Sequence, residues 1–301
     1  MAINIPQCSA EDPSTTCMLA LSAPTATVGE RDDRFLPAKP LSAGGNVAFE
    51  SPLVIAHLFP DLLNLYGDRG NVTVLRMRCA WRGIPVEVRE LHLNDEVDLS
   101  GVDLLFIGGG PDERQRIAYA RLEALGDQLR DFVEEDGALL AICGGYQMLG
   151  KSWVLDGVQV EGIGVFGAET RRDGEQRGRL VGDFALESPL SKTPVVGFEN
   201  HAGRTFLDAE ARPFGRVISK RGHGNNDFSR ADGAVYRKAI GTYAHGPLLS
   251  KNPEVADLLI GAALKRREER TGLSAPDLTP LDDSEENAAK RFVLERMGVA
   301  T

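Results

Sequence analysis

The run Ala138-Leu139-Leu140-Ala141-Ile142 holds no polar residue and passes directly into Cys143-Gly144-Gly145. Five apolar residues bounded by a glycine turn read as a strand covered on both faces. Upstream, residues 102–107 form a second buried strand that ends in Gly108-Gly109-Gly110. Between them Leu122, Leu125, Leu129, Phe132 and Val133 recur at steps of three and four, which predicts one amphipathic helix stopped by Gly137. Strand, helix and strand in that order need a right-handed crossover and place both strands parallel in one sheet. The same alternation starts earlier, with an apolar run at 52–56, a helix over 70–82 stopped by Gly83, and a strand about Val86 and Val88. Past residue 151 the chain turns glycine-rich and β-like until Ala239-Ile240-Gly241-Thr242-Tyr243. Helices are expected at 253–269 and 284–297, the latter carrying Phe292, Val293 and Met297 inward. The expectation is an α/β domain over residues 52–301, a mostly parallel sheet flanked by helices.

Residues 1–51 have a different texture, rich in Ser, Thr, Ala and Pro with no Lys or Arg before Arg31, and read as a flexible extension. The apolar patch at Met18 lacks the charged leader and length of a signal peptide, and no run nears the roughly 18 apolar residues of a membrane span. A cytoplasmic protein is expected. The net charge of −10, from 34 basic and 44 acidic side chains, argues against general nucleic-acid binding. Four cysteines without a C-x-x-C pair, and five scattered histidines, give neither a disulfide scaffold nor a zinc cage.

One cysteine is placed for chemistry. Cys143 follows a strand at once, flanked two residues on either side by Ala141 and Gly145. A nucleophile on a tight strand-to-helix elbow needs small residues at those positions, because the backbone leaves no room for larger ones. The helix that follows points N–H groups toward the sulfur and favours a thiolate. A base is then required. His245, in Tyr243-Ala244-His245-Gly246-Pro247, follows an apolar strand and should project from the same carboxyl edge; His201, in Gly197-Phe198-Glu199-Asn200-His201, is its rival. Residues 145–152 also satisfy the phosphate-loop pattern G-x-x-x-x-G-K-S. Tyr-Gln-Met-Leu is bulky and helix-prone, however, and suits an elbow helix closed by Gly150 better than a loop wrapped around an anion.

Ile142-Cys143-Gly144-Gly145-Tyr146-Gln147 together with Tyr243-Ala244-His245-Gly246-Pro247 resembles the cobyric-acid-synthase-like class I glutamine amidotransferases. Asn64-Leu65-Tyr66-Gly67-Asp68-Arg69-Gly70-Asn71, Phe106-Ile107-Gly108-Gly109-Gly110, Val196-Gly197-Phe198-Glu199-Asn200-His201 and Gly222-His223-Gly224-Asn225-Asn226-Asp227 narrow the likeness to the glutaminase subunits of lipid II isoglutaminyl synthases. The resemblance covers about residues 52–297 and implies a flavodoxin-like sheet with a nucleophile elbow. It implies L-glutamine as substrate, Cys143 as nucleophile, His245 as its partner and Arg179 as the glutamine-binding residue. Backbone N–H groups of Gly109, Gly110 and Gly144 would form the oxyanion hole. The wider class carries a glutamate two residues after the histidine, where this chain has Pro247; Asp68 and Glu199 are the candidates to orient His245, with Asp68 preferred for its place after the first strand. Asp68 reads equally well as a helix cap. The resemblance further implies a MurT-like Mur ligase as partner, which holds ATP and Mg²⁺ and receives lipid II, so that this chain needs no cofactor. An amidotransferase serving another acceptor, such as a corrinoid, and a non-catalytic binding subunit stay open.

Overall fold

The computed structural model describes residues 51–155, 157–172 and 178–300. The extension expected over 1–51 therefore falls outside the described residues except for Ser51, and Cys8 and Cys17 fall outside with it. In chain order the first half runs β1 (Leu53–Leu58), α1 (Arg69–Ala80), β2 (Val86–Leu91), β3 (Leu104–Ile107), α2 (Asp112–Ala124), α3 (Gly126–Glu134), β4 (Ala138–Ile142) and α4 (Gly144–Met148). Short strands follow: β5 (Ser152–Leu155), β6 (Val158–Glu161), β7 (Ala168–Arg171), β8 (Leu180–Glu187), β9 (Val195–His201), β10 (Arg204–Leu207), β11 (Gly215–Val217) and β12 (Ala231–Asp232). The chain closes with β13 (Ala234–Tyr236), β14 (Ala239–Thr242), α5 (Pro253–Thr271) and α6 (Ser284–Met297).

The central sheet has the order β13-β14-β4-β3-β1-β2, parallel throughout except for the antiparallel edge strand β13. Every residue of β1, β3, β4 and β14 is buried, which the apolar runs require of strands covered on both faces. Leu58 pairs with Ile107, Ile107 with Ala141, and Ile142 with Thr242. Four strands therefore end level, and the loops bearing Asp68, Gly108 to Gly110, Cys143 and His245 open on one edge. The chain leaves β1 toward β2 on one side, and β3 returns on the other. That reversal is the switch point at which open α/β sheets form a crevice. Two four-stranded sheets complete the fold, β10-β7-β5-β6 and β12-β11-β8-β9.

Two buried charges of this layer are held in ion pairs. The buried Arg78 of α1 forks onto Asp257 of α5 at 2.7 Å and reaches Asp283, ahead of α6, at 2.6 Å. Asp103, the polar residue in the second apolar run, accepts from the Val54 N–H and from Arg270.

Two expectations need correction. The stripe from Leu122 to Val133 is buried as predicted but belongs to two helices, broken at Leu125, whose φ of −97° and ψ of 2° leave the helical region. On α6, Phe292 faces solvent at 64% exposure, and the buried positions are Lys290 and Leu294. Residues four apart share a helix face, whereas Phe292 lies two positions from each, on the far side. Leu294 packs with Ala185 and Val196, flanked by Val293 and Met297. Leu294→Ala should thus cost about 2–3 kcal/mol and Phe292→Ser less than about 0.5 kcal/mol in denaturant melts; equal losses would put the wrong face inward.

Candidate active site

Cys143 occupies the sharp turn that the small neighbours demand. Its backbone has φ 51° and ψ −105°, a left-handed conformation that L side chains rarely adopt, and its N–H donates to Thr242 O at 2.8 Å. A methyl group on Gly145 would stand 2.9 Å from Ile107 O and 3.0 Å from Gly108 O, so only glycine lets α4 start this close to β3. The phosphate-loop alternative fails on the same segment. Tyr146 to Met148 are helical, Lys151 pairs with Asp208, and Ser152 begins a strand, so no loop of free N–H groups remains.

His245 lies beside this turn, fully buried. Its Nδ1–H donates to Asp68 Oδ1 at 3.0 Å, while Asp68 Oδ2 accepts from the Gly109 N–H at 2.8 Å. A methyl group on Gly109 would lie 3.1 Å from Cys143 Cβ, 3.2 Å from His245 Cε1 and 3.5 Å from Asp68 Oδ2, so all three side chains converge on this glycine. Burial by itself would push the imidazole down. The hydrogen bond to Asp68 and the neighbouring Cys143 sulfur outweigh it and raise His245 to about 10. An imidazolium at neutral pH beside a sulfur is the arrangement that supports a thiolate nucleophile.

Asp68 joins His245 here, and the other candidates stand apart from the pair. Asp68 sits at the start of α1 yet makes no capping hydrogen bond, its carboxylate being committed to His245 and Gly109. Glu199 is buried but accepts from His223 and from the Gly224 N–H. Pro247 packs over Gly70, where a methyl group would meet its Cγ at 2.2 Å. His201 donates from Nδ1 to Gly203 O, stacks on Tyr243 at 3.5 Å and is pushed down by burial, with Glu199 3.8 Å from its Nε2. Of the three expected oxyanion donors, Gly109 has its N–H taken by Asp68, which leaves Gly110 and Gly144.

A cavity of about 440 Å³ opens over Cys143, within the usual size of small-molecule sites. Gly110, Gln115, Gln147, Arg172, Arg179 and His201 are among its walls. Arg179 is brought there by register, because Leu180 pairs with His201 and Val181 with Asn200. Its Nε and Nη2 donate to Asn200 Oδ1 at 2.6 Å and Asn200 O at 2.7 Å. Arg172 is instead paired with Asp112 at 2.6 Å. Sequence reasoning missed Gln115, which donates to Gly110 O at 2.6 Å and pins the glycine loop. It missed Tyr66 as well, whose ring meets His245 edge-on at 5.0 Å. Neither belongs to an apolar period, so only their place beside the motif glycines could have marked them. Among the described residues, no cluster of His, Cys, Asp and Glu could hold a metal ion, and no helix is long and apolar enough to cross a membrane.

Residues 54–253 match the CobB/CobQ-like glutamine amidotransferase domain. The GatD subunit of lipid II isoglutaminyl synthase (glutamine-hydrolyzing) from Staphylococcus aureus is 38% identical, over 81% of this chain and 96% of its own length. The subunit of the same name from Streptococcus pneumoniae is also 38% identical, over 75% of this chain and 85% of its own. Cobyric acid synthase from Photorhabdus laumondii is 32% identical over 63% of this chain, which spans 38% of that larger protein. With a cysteine elbow, a carboxylate-held histidine and a small-molecule cavity on the carboxyl edge of the sheet, the chain belongs to the CobB/CobQ-like glutamine amidotransferase family and, within it, to the GatD subunits of lipid II isoglutaminyl synthase.

Proposed function

We propose that the chain hydrolyses L-glutamine through a thioester on Cys143 and passes the ammonia to a partner subunit. The observation that carries this reading is the line Asp68–His245–Cys143, whose cysteine lines the cavity. The Cys143 thiolate attacks the side-chain amide carbon, and the N–H groups of Gly110 and Gly144 hold the oxygen that becomes negative. As the C–N bond breaks, His245 gives its proton to the departing nitrogen, which leaves as ammonia. Now neutral, His245 takes a proton from water, whose oxygen attacks the thioester and releases glutamate and the thiolate. Asp68 keeps Nδ1 protonated throughout, so that Nε2 faces the reaction.

The partner is read as a MurT-like Mur ligase that binds ATP and Mg²⁺, activates the α-carboxyl of D-glutamate in lipid II and receives the ammonia to form D-isoglutamine. This chain itself is read as cofactor-free and cytoplasmic, meeting lipid II through that subunit. The support is the match to GatD subunits over nearly their whole length, and the word subunit in their names. The complex isolated from its host should transfer ¹⁵N from the amide of glutamine into lipid II when ATP is present. Transfer into a corrinoid instead would assign the subunit to another synthetase, and ammonia-free incubations would leave it a binding subunit.

A further inference from the structure

Asp68 and His245 stand on loops 177 positions apart, and their bond at 3.0 Å needs both backbones held in register. The stretch Asn64-Leu65-Tyr66-Gly67-Asp68-Arg69-Gly70-Asn71 supplies more than the carboxylate. Asn64 Oδ1 accepts from the Arg69 N–H at 2.9 Å, so capping at the start of α1 does not draw on Asp68. Gly70 forms a notch: a methyl group there would stand 2.2 Å from Cγ of Pro247, two residues past His245. Asn71 is fully buried, and the orientation of its amide can be fixed atom by atom. The Leu249 N–H can only donate, so Oδ1 faces it and accepts at 2.9 Å. Nδ2 then donates to Asp68 O, a carbonyl that can only accept, at 3.1 Å. Leu249 rides on the turn Leu248–Ser250, and the buried Asn252 ties that turn to β9 by donating to Leu248 O and Val196 O. Phe198 of β9 in turn pairs with the backbone of His245 in both directions, at 3.0 and 2.9 Å.

We propose that Asn71 is the positioning residue that keeps Asp68 in line with His245, and that Gly70 is the seat that sets Pro247 and the histidine loop against α1. This deepens the glutaminase reading above and rests on it. One amide holds a loop on each arm, Asp68 by its carbonyl and the segment after His245 by the Leu249 N–H. An aspartate at 71 would turn an acceptor onto Asp68 O, and a leucine would leave the Leu249 N–H buried and unpaired. Loss of the amide frees the two loops to drift, and a displacement of about 1 Å between catalytic groups can cost about 10²-fold in rate. The Asn71 backbone N–H also donates to Asp68 O, at 2.9 Å, and stays in every variant, so α1 keeps its first turn.

The test uses the full chain in complex with its partner, carrying ¹⁵N-labelled histidine, with ammonia release from L-glutamine as the rate. Asn71→Ala should lower kcat about 10²-fold and leave KM within about twofold. The alkaline limb of kcat and the titration of the His245 imidazole should both move to lower pH, because the bond that favours the imidazolium is loosened. In an Asp68→Asn background the same substitution should cost less than about threefold, since the bond it aligns is already lost. Gly70→Ala, which suits a helix, should lower kcat at least about tenfold with KM held, and it carries the test should Asn71→Ala not fold. An unshifted His245 titration in Asn71→Ala, or losses that multiply with those of Asp68→Asn, would overturn the role, as would a wild-type kcat in Gly70→Ala. An unmutated complex that releases no ammonia overturns the glutaminase reading alone, and the His245 titration still judges Asn71.

Discussion

Cys143→Ala in the assembled complex is expected to reduce ammonia release from L-glutamine to background, a loss on the order of 10⁵-fold or more. Among the described residues that line the cavity, no second thiol is present. Asp68 and His245 are bonded to each other, and in the proposed mechanism they hold and move a proton. Cys143→Ser should be nearly as poor, because a serine hydroxyl beside an imidazolium already carrying its proton has no base to activate it. The alanine variant should still fold, since it removes one buried sulfur from a turn whose small neighbours are unchanged. Release at more than a few per cent of the wild-type rate, with a normal melting curve, would exclude the thioester route.

The second large effect is expected at Asp68. Replacing it with Asn keeps the shape and removes the charge, and the amide can present a donor to Nδ1 and so favour the wrong tautomer. A loss of roughly 10³–10⁴ in kcat is expected, as for triads of this kind. The pH dependence identifies the cause. His245 is raised to about 10, chiefly by Asp68 and Cys143 working against burial. Proton donation to the leaving nitrogen therefore persists through neutral pH and fails as pH rises through about 10 in the wild type. Without the carboxylate the imidazolium is less favoured, and the alkaline limb of the residual activity should move to lower pH. Stability follows the same sign. A folded-state value above the ordinary 6.5 contributes stability that is fully present below about 6.5 and is lost as pH rises through about 10. Asp68→Asn should flatten that alkaline decline in Tm. An unshifted alkaline limb would mean that Asp68 acts on something other than His245.

Much of the site was legible because its determinants are local. Ala141 and Gly145 flank Cys143 within five residues, and the conflict between backbone and side chain that they relieve is settled inside that window. His245 was legible for a similar reason, as the first polar residue past an apolar strand. The choice of Asp68 over Glu199 was weaker from sequence, since each is a carboxylate near a motif glycine. Only the structure separates them, with Asp68 on His245 and Glu199 on His223 and Gly224. Gly109 shows the opposite case. Its sequence context matched an oxyanion donor, yet the packing that draws Asp68 toward His245 also uses the Gly109 N–H.

By itself the sequence determined which segments are strands covered on both faces, where the elbow lies, and that Cys143 stands on it. Burial and turn geometry are written in neighbouring residues. The tertiary structure decided which partners meet. Asp68 reaches His245 across 177 positions, and Tyr66 reaches Asn200 across 134. Those distances close only because Leu58, Ile107, Ile142 and Thr242 bring four strand ends level, and because Val181 pairs with Asn200 and so sets Arg179 beside it. Strand order and register are properties of the whole sheet, and no local period encodes them. The same holds for α6, where the sheet face formed by Ala185 and Val196 selected Leu294 and left Phe292 in solvent.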